Sequence, residues 1–190
     1  SRAAFINDDD EPATISIAGG GTTDEGDEGS TVYEFTISRS GETTDEAAEV
    51  DFAVIGAGDS SRDPADADDF VGGVLPSGTV RFAPGETSRR ITVEVAGDTE
   101  VENDERFEVQ LSNVTGNAVL SSTFASADSF VFDDDEPATI SISSGDFSGD
   151  EGDEGSTVFE LTLFRSGETT DEAATVDFAV LGVGDSFRDA

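Results

Sequence analysis

The chain has 190 residues, 44 of them Asp or Glu against nine Lys or Arg, and so carries a formal net charge of -35. Charge of that size repels nucleic-acid phosphates and anionic lipid surfaces, so neither a nucleic acid nor direct membrane binding is expected. The basic residues are all Arg, and Lys, His, Cys, Met and Trp are absent, which removes most side chains that catalysis and transition-metal binding draw on and leaves hard oxygen ligands.

With 35% hydrophobic residues, including 14 Phe, the chain can build a core, and its organisation follows from repetition. AAFINDDDEP near the start matches DSFVFDDDEP around Asp133, so residues 1–7 are expected to be the last strand of a preceding repeat. DDDEPATISI begins at Asp8 and again at Asp133, 125 residues later. DEGDEGSTV at Asp24 and RSGETTDEAA at Arg39 return at Asp150 and Arg165, 126 residues later, which places a one-residue insertion near Gly145. A period of this length is that of a domain with its own core, not of a solenoid unit. Residues 8–137 are therefore expected to form a complete module and residues 138–190 the N-terminal half of a second.

Within the complete module, apolar residues alternate with polar ones at period two, the pattern of half-buried strands. Ile15 and Ile17 open the series; Tyr33, Phe35 and Ile37 follow, then Val50, Phe52 and Val54. Next come Val80 and Phe82, then Ile91, Val93 and Val95, then Phe107, Val109 and Leu111, with Phe130 and Phe132 expected to begin the last strand. Ser40-Gly41 suits a hairpin, and Pro84-Gly85 suits the central positions of a type II turn. Gly56 to Phe70 reads as one long acidic loop, of the kind that carries function. Seven such runs with turns between them indicate an all-β fold, a seven-stranded antiparallel Ig-like sandwich repeated in tandem.

The acids fall mostly outside the strands, in Asp8–Glu11, Asp24–Glu28, Asp63–Asp69, Asp98–Glu105 and Asp133–Glu136. A salt-adapted surface spreads its acids over every exposed face, whereas loops that converge at one end of a sandwich gather oxygens at one point. Ca²⁺ takes about six to eight oxygens at roughly 2.3–2.6 Å, largely from carboxylates and carbonyls, while Mg²⁺ retains water and rarely occupies an all-protein cage. Neither an EF-hand loop nor a glycine-rich nonapeptide array is present, so a Ca²⁺ site would be assembled by tertiary contacts. Only paired carboxylates could do chemistry here, and no aromatic sugar platform accompanies them, so the chain is not expected to be an enzyme. Asn113-Val114-Thr115 fits a glycosylation sequon and is read as a chance match at a turn. Arg39 and Arg165 are expected to make surface pairs with nearby Glu, and Arg89-Arg90 is too small a patch to suggest an anionic partner.

ITVEVAGDTEVENDERFEVQLSN, residues 91–113, resembles the Calx-β family, whose characteristic stretch is a strand, an acidic D-x(3)-E-x(2)-E loop and a strand ending in LSN. The resemblance extends to the stretch from Asp68 to Thr87, to DEGDEGSTVYEFTISRSG and to the terminal DDD, covering nearly the whole complete module. It implies a seven-stranded antiparallel sandwich of the type in the Ca²⁺ sensor domains of sodium/calcium exchangers, in integrin β4 and in large extracellular adhesion proteins. The family's Ca²⁺ ligands fall on Glu25 or Glu28; on Asp69 of the Asp69-Phe70 pair; on Asp98, Glu102 and Glu105, with the carbonyl of Glu100; and on Asp133, Asp134 and Asp135. Gly97-Asp98-Thr99 holds one acid where exchanger sensor domains carry several, which implies fewer or weaker ions; Asp63, Asp66 or Asp68 could substitute.

The second copy keeps Glu151, Glu154, Phe159, Leu161, Leu163, Phe178 and Val180 but has no counterpart of Asp69, Asp98 or the terminal DDD. A half-sandwich exposes an apolar face and open edges, so the chain is expected to continue. The expected role is a Ca²⁺-stiffened repeat of an extracellular or cell-surface adhesin, stalk or filament. Its partners would be neighbouring repeats of the same chain and other copies in a filament. The competing expectation is a regulatory Ca²⁺ sensor.

Overall fold

Alternating burial builds two facing sheets from the first module. The computed structural model describes residues 11–41, 46–143, 154–156, 158–167 and 173–181. Residues 1–7, the acids Asp8 to Asp10, Gly145 and Glu151 lie outside the described residues. The strands of the first unit are β1 (Ala13–Gly19), β2 (Thr22–Asp24), β3 (Gly29–Ser40), β4 (Ala48–Gly56), β5 (Asp63–Pro64), β6 (Ser77–Phe82), β7 (Ser88–Gly97), β8 (Glu105–Thr115), β9 (Ala118–Leu120) and β10 (Ser126–Phe132). One sheet runs β7-β3-β1-β9 and the other β2-β10-β8-β4-β6, with β5 added in parallel against β8.

Tyr33, Phe35 and Ile37 of β3 are buried while Glu34 and Thr36 between them are exposed; Val93 and Val95 of β7 and Phe107 and Val109 of β8 repeat the pattern. Phe107 lies at the centre, with its ring edge-to-face with Tyr33 at 5.2 Å, Phe35 at 6.3 Å and Phe70 at 5.4 Å. Each such Phe removed from water contributes about 1.5–3 kcal/mol, and the aromatic pairing fixes how the two sheets face one another.

The seven expected strands correspond to β1, β3, β4, β6, β7, β8 and β10; β2, β5 and β9 are two or three residues long and too short to show a period. Several expectations change. The Ser40-Gly41 turn does not join a hairpin: β3 and β4, on either side of it in sequence, lie in opposite sheets. Phe130 and Phe132 end β10 instead of beginning a strand, and they face outward. Register decides this, because Ser129 stands opposite buried Phe107 and Phe130 opposite Arg106, so Ser129 and Val131 take the core side. Gly20, at φ 79°, lies against Ser129, where a Cβ would come 2.1 Å from its Oγ, so the two small residues fill one space. Arg39 is not a surface residue; it occupies the inward phase of β3 with 2% exposure and donates from Nη1 to the Glu46 carbonyl at 3.2 Å. Finally, the long Gly56–Phe70 stretch is ordered around β5 and the buried side chains of Ala65 and Phe70.

Other turns follow their residues. Glu86 N–H donates to the Ala83 carbonyl at 3.0 Å across Pro84-Gly85, with Gly85 at φ 75°, as a type II turn requires. Arg89 pairs with Glu86 and Arg90 with Glu34 on the surface. Asn113 lies within β8, not at a turn, at φ 49° beside the bulge opposite Val50, and its Nδ2 donates to Asp51 at 3.0 Å.

The chain divides into compact units at Asp135/Glu136. The second unit pairs β11 (Thr139–Ile142) with β12 (Leu163–Ser166) in antiparallel register, Ile142 opposite Leu163, just as Ile17 stands opposite Ile37 in the first. Ile142, Leu163 and Phe178 are exposed, whereas Ile17 and Ile37 are buried. Glu154 is exposed.

Candidate metal centre

Several strands terminate together at one end of the sandwich. Gly29 at the start of β3 pairs with Gly97 at the end of β7, Phe132 at the end of β10 pairs with Asp24 at the end of β2, and Glu105 at the start of β8 pairs with Val131. The next residues along these strands are Glu25, Asp98 and Asp133, so strand pairing alone carries them and Glu105 to the same rim.

Backbone hydrogen bonds then hold each loop. Glu25 N–H donates to the Phe132 carbonyl at 3.1 Å, and Thr31 Oγ1 donates to the Glu25 carbonyl at 2.8 Å. Gly97 lets the turn settle: a Cβ there would lie 2.0 Å from the Gly26 carbonyl oxygen. Asp98 Oδ1 accepts from Glu100 N–H at 2.7 Å, bending the acidic loop, and Asp133 Oδ2 accepts from Glu102 N–H at 2.9 Å, joining that loop to the end of β10. On the far side, the Asp69 carboxylate accepts from Asp66 N–H, while the Asp69 carbonyl accepts from Ala96 N–H at 2.8 Å.

The expected ligands thus separate by position. Carboxylate oxygens of Glu25, Asp133 and Asp135 lie within 4.8 Å of one another, and Glu25 and Asp135 are both 7% exposed. Asp98 and Glu102 border this group, since both act on Glu25 through their charges. Glu105 and Asp69 form a neighbouring pair, hydrogen-bonded to each other, with Asp66 and Glu102 close by. Glu28, in the β2–β3 turn, and Asp134, whose Oδ1 accepts from Gly26 N–H at 3.0 Å, are exposed; Glu100, expected to offer its carbonyl, is exposed on the acidic loop with its charge acting on Glu102. Of the possible substitutes, Asp66 faces Glu105, Asp63 accepts from Asn103 Nδ2 at 3.1 Å, and Asp68 is exposed.

Crowding like charges in a partly buried place disfavours ionisation. Burial pushes the Glu25 carboxyl from 4.5 up to about 8, and the charges of Asp98, Glu102, Asp133 and Asp135 add to it. Glu105 is likewise pushed up to about 8, first by burial, then by its hydrogen bond with Asp69 and the charges of Asp69, Glu102 and Asp66. Glu102 is raised by partial burial of its carboxyl, although the residue as a whole is exposed, and by Asp69, Asp98, Glu100 and Asp133. Arg62, Arg81, Arg89, Arg90 and Arg106 pair with Asp59, Glu49, Glu86, Glu34 and Asp128, all outside this group. A hard cation would relieve the crowding, and a donor set made only of carboxylate and carbonyl oxygens fits Ca²⁺.

Sequence reasoning found the carboxylates but not the parts that place them. β2, which delivers Glu25, has no apolar alternation to reveal it. Gly26, inside one acidic tract, and Gly97, just before another, were the available signal for the close approach of those two loops.

These features define an all-β, acidic sandwich with a carboxylate cluster at one end. The chain belongs to the Calx-beta domain family, whose model matches residues 8–135. Among solved structures it is similar to the apo-form Calx CBD1 domain, at 25% identity over 66% of this chain and 100% of that one, with a TM-score of 0.52. It is also similar in fold to CBD12 from CALX1.2, at 24% identity over 64% of this chain and 46% of that one, with a TM-score of 0.52. No protein of curated function matches the chain.

Proposed function

We propose that residues 8–137 form a Ca²⁺-binding structural module, repeated in tandem, of an extracellular adhesin, stalk or surface filament. The observation that carries this reading is the convergence of Glu25, Asp133 and Asp135 within 4.8 Å, two of them buried. Asp98, Glu102, Glu105 and Asp69 would complete the donor set, and a bound Ca²⁺ would supply positive charge to offset their repulsion.

The cluster's position ties this charge balance to mechanics. Glu25 belongs to the turn entering β3, Asp98 to the loop leaving β7, and Asp133 and Asp135 to the last residues before Glu136-Pro137, where the second unit begins. Cross-linking them would hold the departing chain against its own module, so that Ca²⁺ stiffens the link between neighbouring repeats and its removal loosens it. Near-identical repeats support a unit copied for length, with other copies in a filament as further partners. No catalytic step is assigned to any residue.

The regulatory sensor is the second reading, favoured by the likeness to the Calx CBD1 domain. Calorimetric Ca²⁺ titration separates the two: affinity around 10⁻⁴–10⁻³ M supports an extracellular structural site, and around 10⁻⁷–10⁻⁵ M a sensor. For the structural reading, chelation must also lower the melting temperature and change the small-angle scattering profile. Unchanged melting and scattering refute it.

A further inference from the structure

The outward-facing Phe130 and Phe132 have no part in the core, yet they are not bare. The Arg62 guanidinium carbon lies 4.6 Å from the Phe130 ring centroid and 5.9 Å from that of Phe132, and the Arg106 guanidinium carbon lies 6.0 Å from Phe130. Arg62 comes from the long Gly56–Phe70 excursion; Arg106 comes from β8. Arg106 also donates from Nη1 to the Ala57 carbonyl at 2.9 Å, at the start of the excursion, and from Nη2 to Asp128 at 2.6 Å.

The same stretch is stitched to β8 by backbone bonds. Ala57 and Ala65 N–H both donate to the Arg106 carbonyl, at 3.0 and 3.1 Å, and Asp63 N–H donates to the Asp104 carbonyl at 3.1 Å. Beyond Ala65 the chain runs straight into Asp66 and Asp69, the carboxylates that face Glu105. The turn from Asp59 to Arg62, closed by the Asp59 N–H donating to the Arg62 carbonyl at 2.9 Å, lies between these bonds and precedes the Asp66–Asp69 arm.

We propose that Arg62 is a positioning residue for Ca²⁺ binding: by stacking on Phe130 and Phe132 it docks the excursion on the outer sheet face and so holds Asp66 and Asp69 against Glu105. The proposal rests on the Ca²⁺-binding reading given above. Arg62 is not among the charges acting on Glu25, Glu102 or Glu105, so its influence passes through the position of the loop.

Charge and position make opposite predictions. Removing a cation makes the site more negative and by itself tightens Ca²⁺ binding. Losing the cation–π contact loosens the arm, and a contact of this kind, worth roughly 0.5–2 kcal/mol, corresponds to about a twofold to thirtyfold change. The test is Ca²⁺ titration of the full chain with Arg62→Ala and Arg62→Lys, beside hydrogen exchange of the metal-free proteins. Arg62→Ala is expected to weaken binding by about threefold to tenfold and to raise exchange at residues 57–69 but not in β3 or β7. Arg62→Lys, which can keep a cation over the rings, is expected to recover most of both effects. Binding as tight as or tighter than the parent in Arg62→Ala overturns the proposal, as does exchange unchanged at 57–69. A parent chain that binds no Ca²⁺ overturns the metal reading and the proposed role in binding together; raised exchange at 57–69 in Arg62→Ala would then still identify the docking contact.

Discussion

Replacing Glu25 by Gln should stabilise the module in the absence of metal, although it removes a ligand of the proposed site. Glu25 is 7% exposed and its carboxyl is held at about 8, against 4.5 for an ordinary Glu. Between those two pH values the folded state keeps a proton that the unfolded state releases, so the folded state binds more protons and stability falls as pH rises; above about 8 the slope vanishes. At pH 7 the penalty spans the interval from 4.5 upward at 1.36 kcal/mol per pH step, an upper bound of about 3 kcal/mol and roughly 2 kcal/mol once relaxation and water reaching the rim are allowed for. Gln has the same shape and no charge to bury, so it escapes this penalty. Urea unfolding in chelator, followed by the fluorescence of Tyr33, the chain's single Tyr and a core residue of the first unit, reads this module specifically. Glu25→Gln is expected to be more stable than the parent by roughly 2 kcal/mol at pH 7 and to converge with it near pH 4.5. Added Ca²⁺ should reverse the order, because the parent gains ligand-linked stability that the variant lacks. A variant equal to or less stable than the parent in chelator at pH 7 refutes the claim that like-charge crowding and burial act on Glu25.

The acidic tripeptide at the end of β10 divides its work. Asp133→Asn should weaken Ca²⁺ by about tenfold or more, as loss of a charged ligand does, whereas Asp134→Asn should stay within about threefold because its side-chain oxygen can still accept from Gly26 N–H; equal losses in a titration would contradict that division. Phe107→Ala removes the ring that meets Tyr33, Phe35 and Phe70 and should cost about 3–5 kcal/mol in urea unfolding. A loss under about 1 kcal/mol would mean that the two sheets do not pack through it.

Much of this protein was legible before any coordinate. Period-two alternation is a local property, so Tyr33/Phe35/Ile37 and Phe107/Val109/Leu111 declare their strands and their inward faces without knowledge of partners. The repeat, the all-β class and the concentration of acids between strands are equally local or compositional. Short strands escape because two or three residues cannot show a period: β2 and β5 exist only through their partners β10 and β8.

Which face a residue takes, and which acid meets which, depends on pairing between distant strands. Phe130 and Phe132 looked like core residues until the register of β10 against β8 put Ser129 opposite Phe107. Arg39 looked like a surface cation until β3 turned it inward. The acids illustrate the same limit: the resemblance placed a ligand on Glu25 or, failing that, Glu28, and gave the three consecutive Asp residues without ranking them. Folding separates them, because the bond from Glu25 N–H to Phe132, the close approach of Gly26 to Gly97 and the alternation of side chains after β10 bring Glu25, Asp133 and Asp135 together and leave Glu28 and Asp134 facing water. Composition determined that this protein must manage a large negative charge; only the tertiary structure decided where that charge is confined, since Coulomb repulsion and burial act on distances that strand pairing creates.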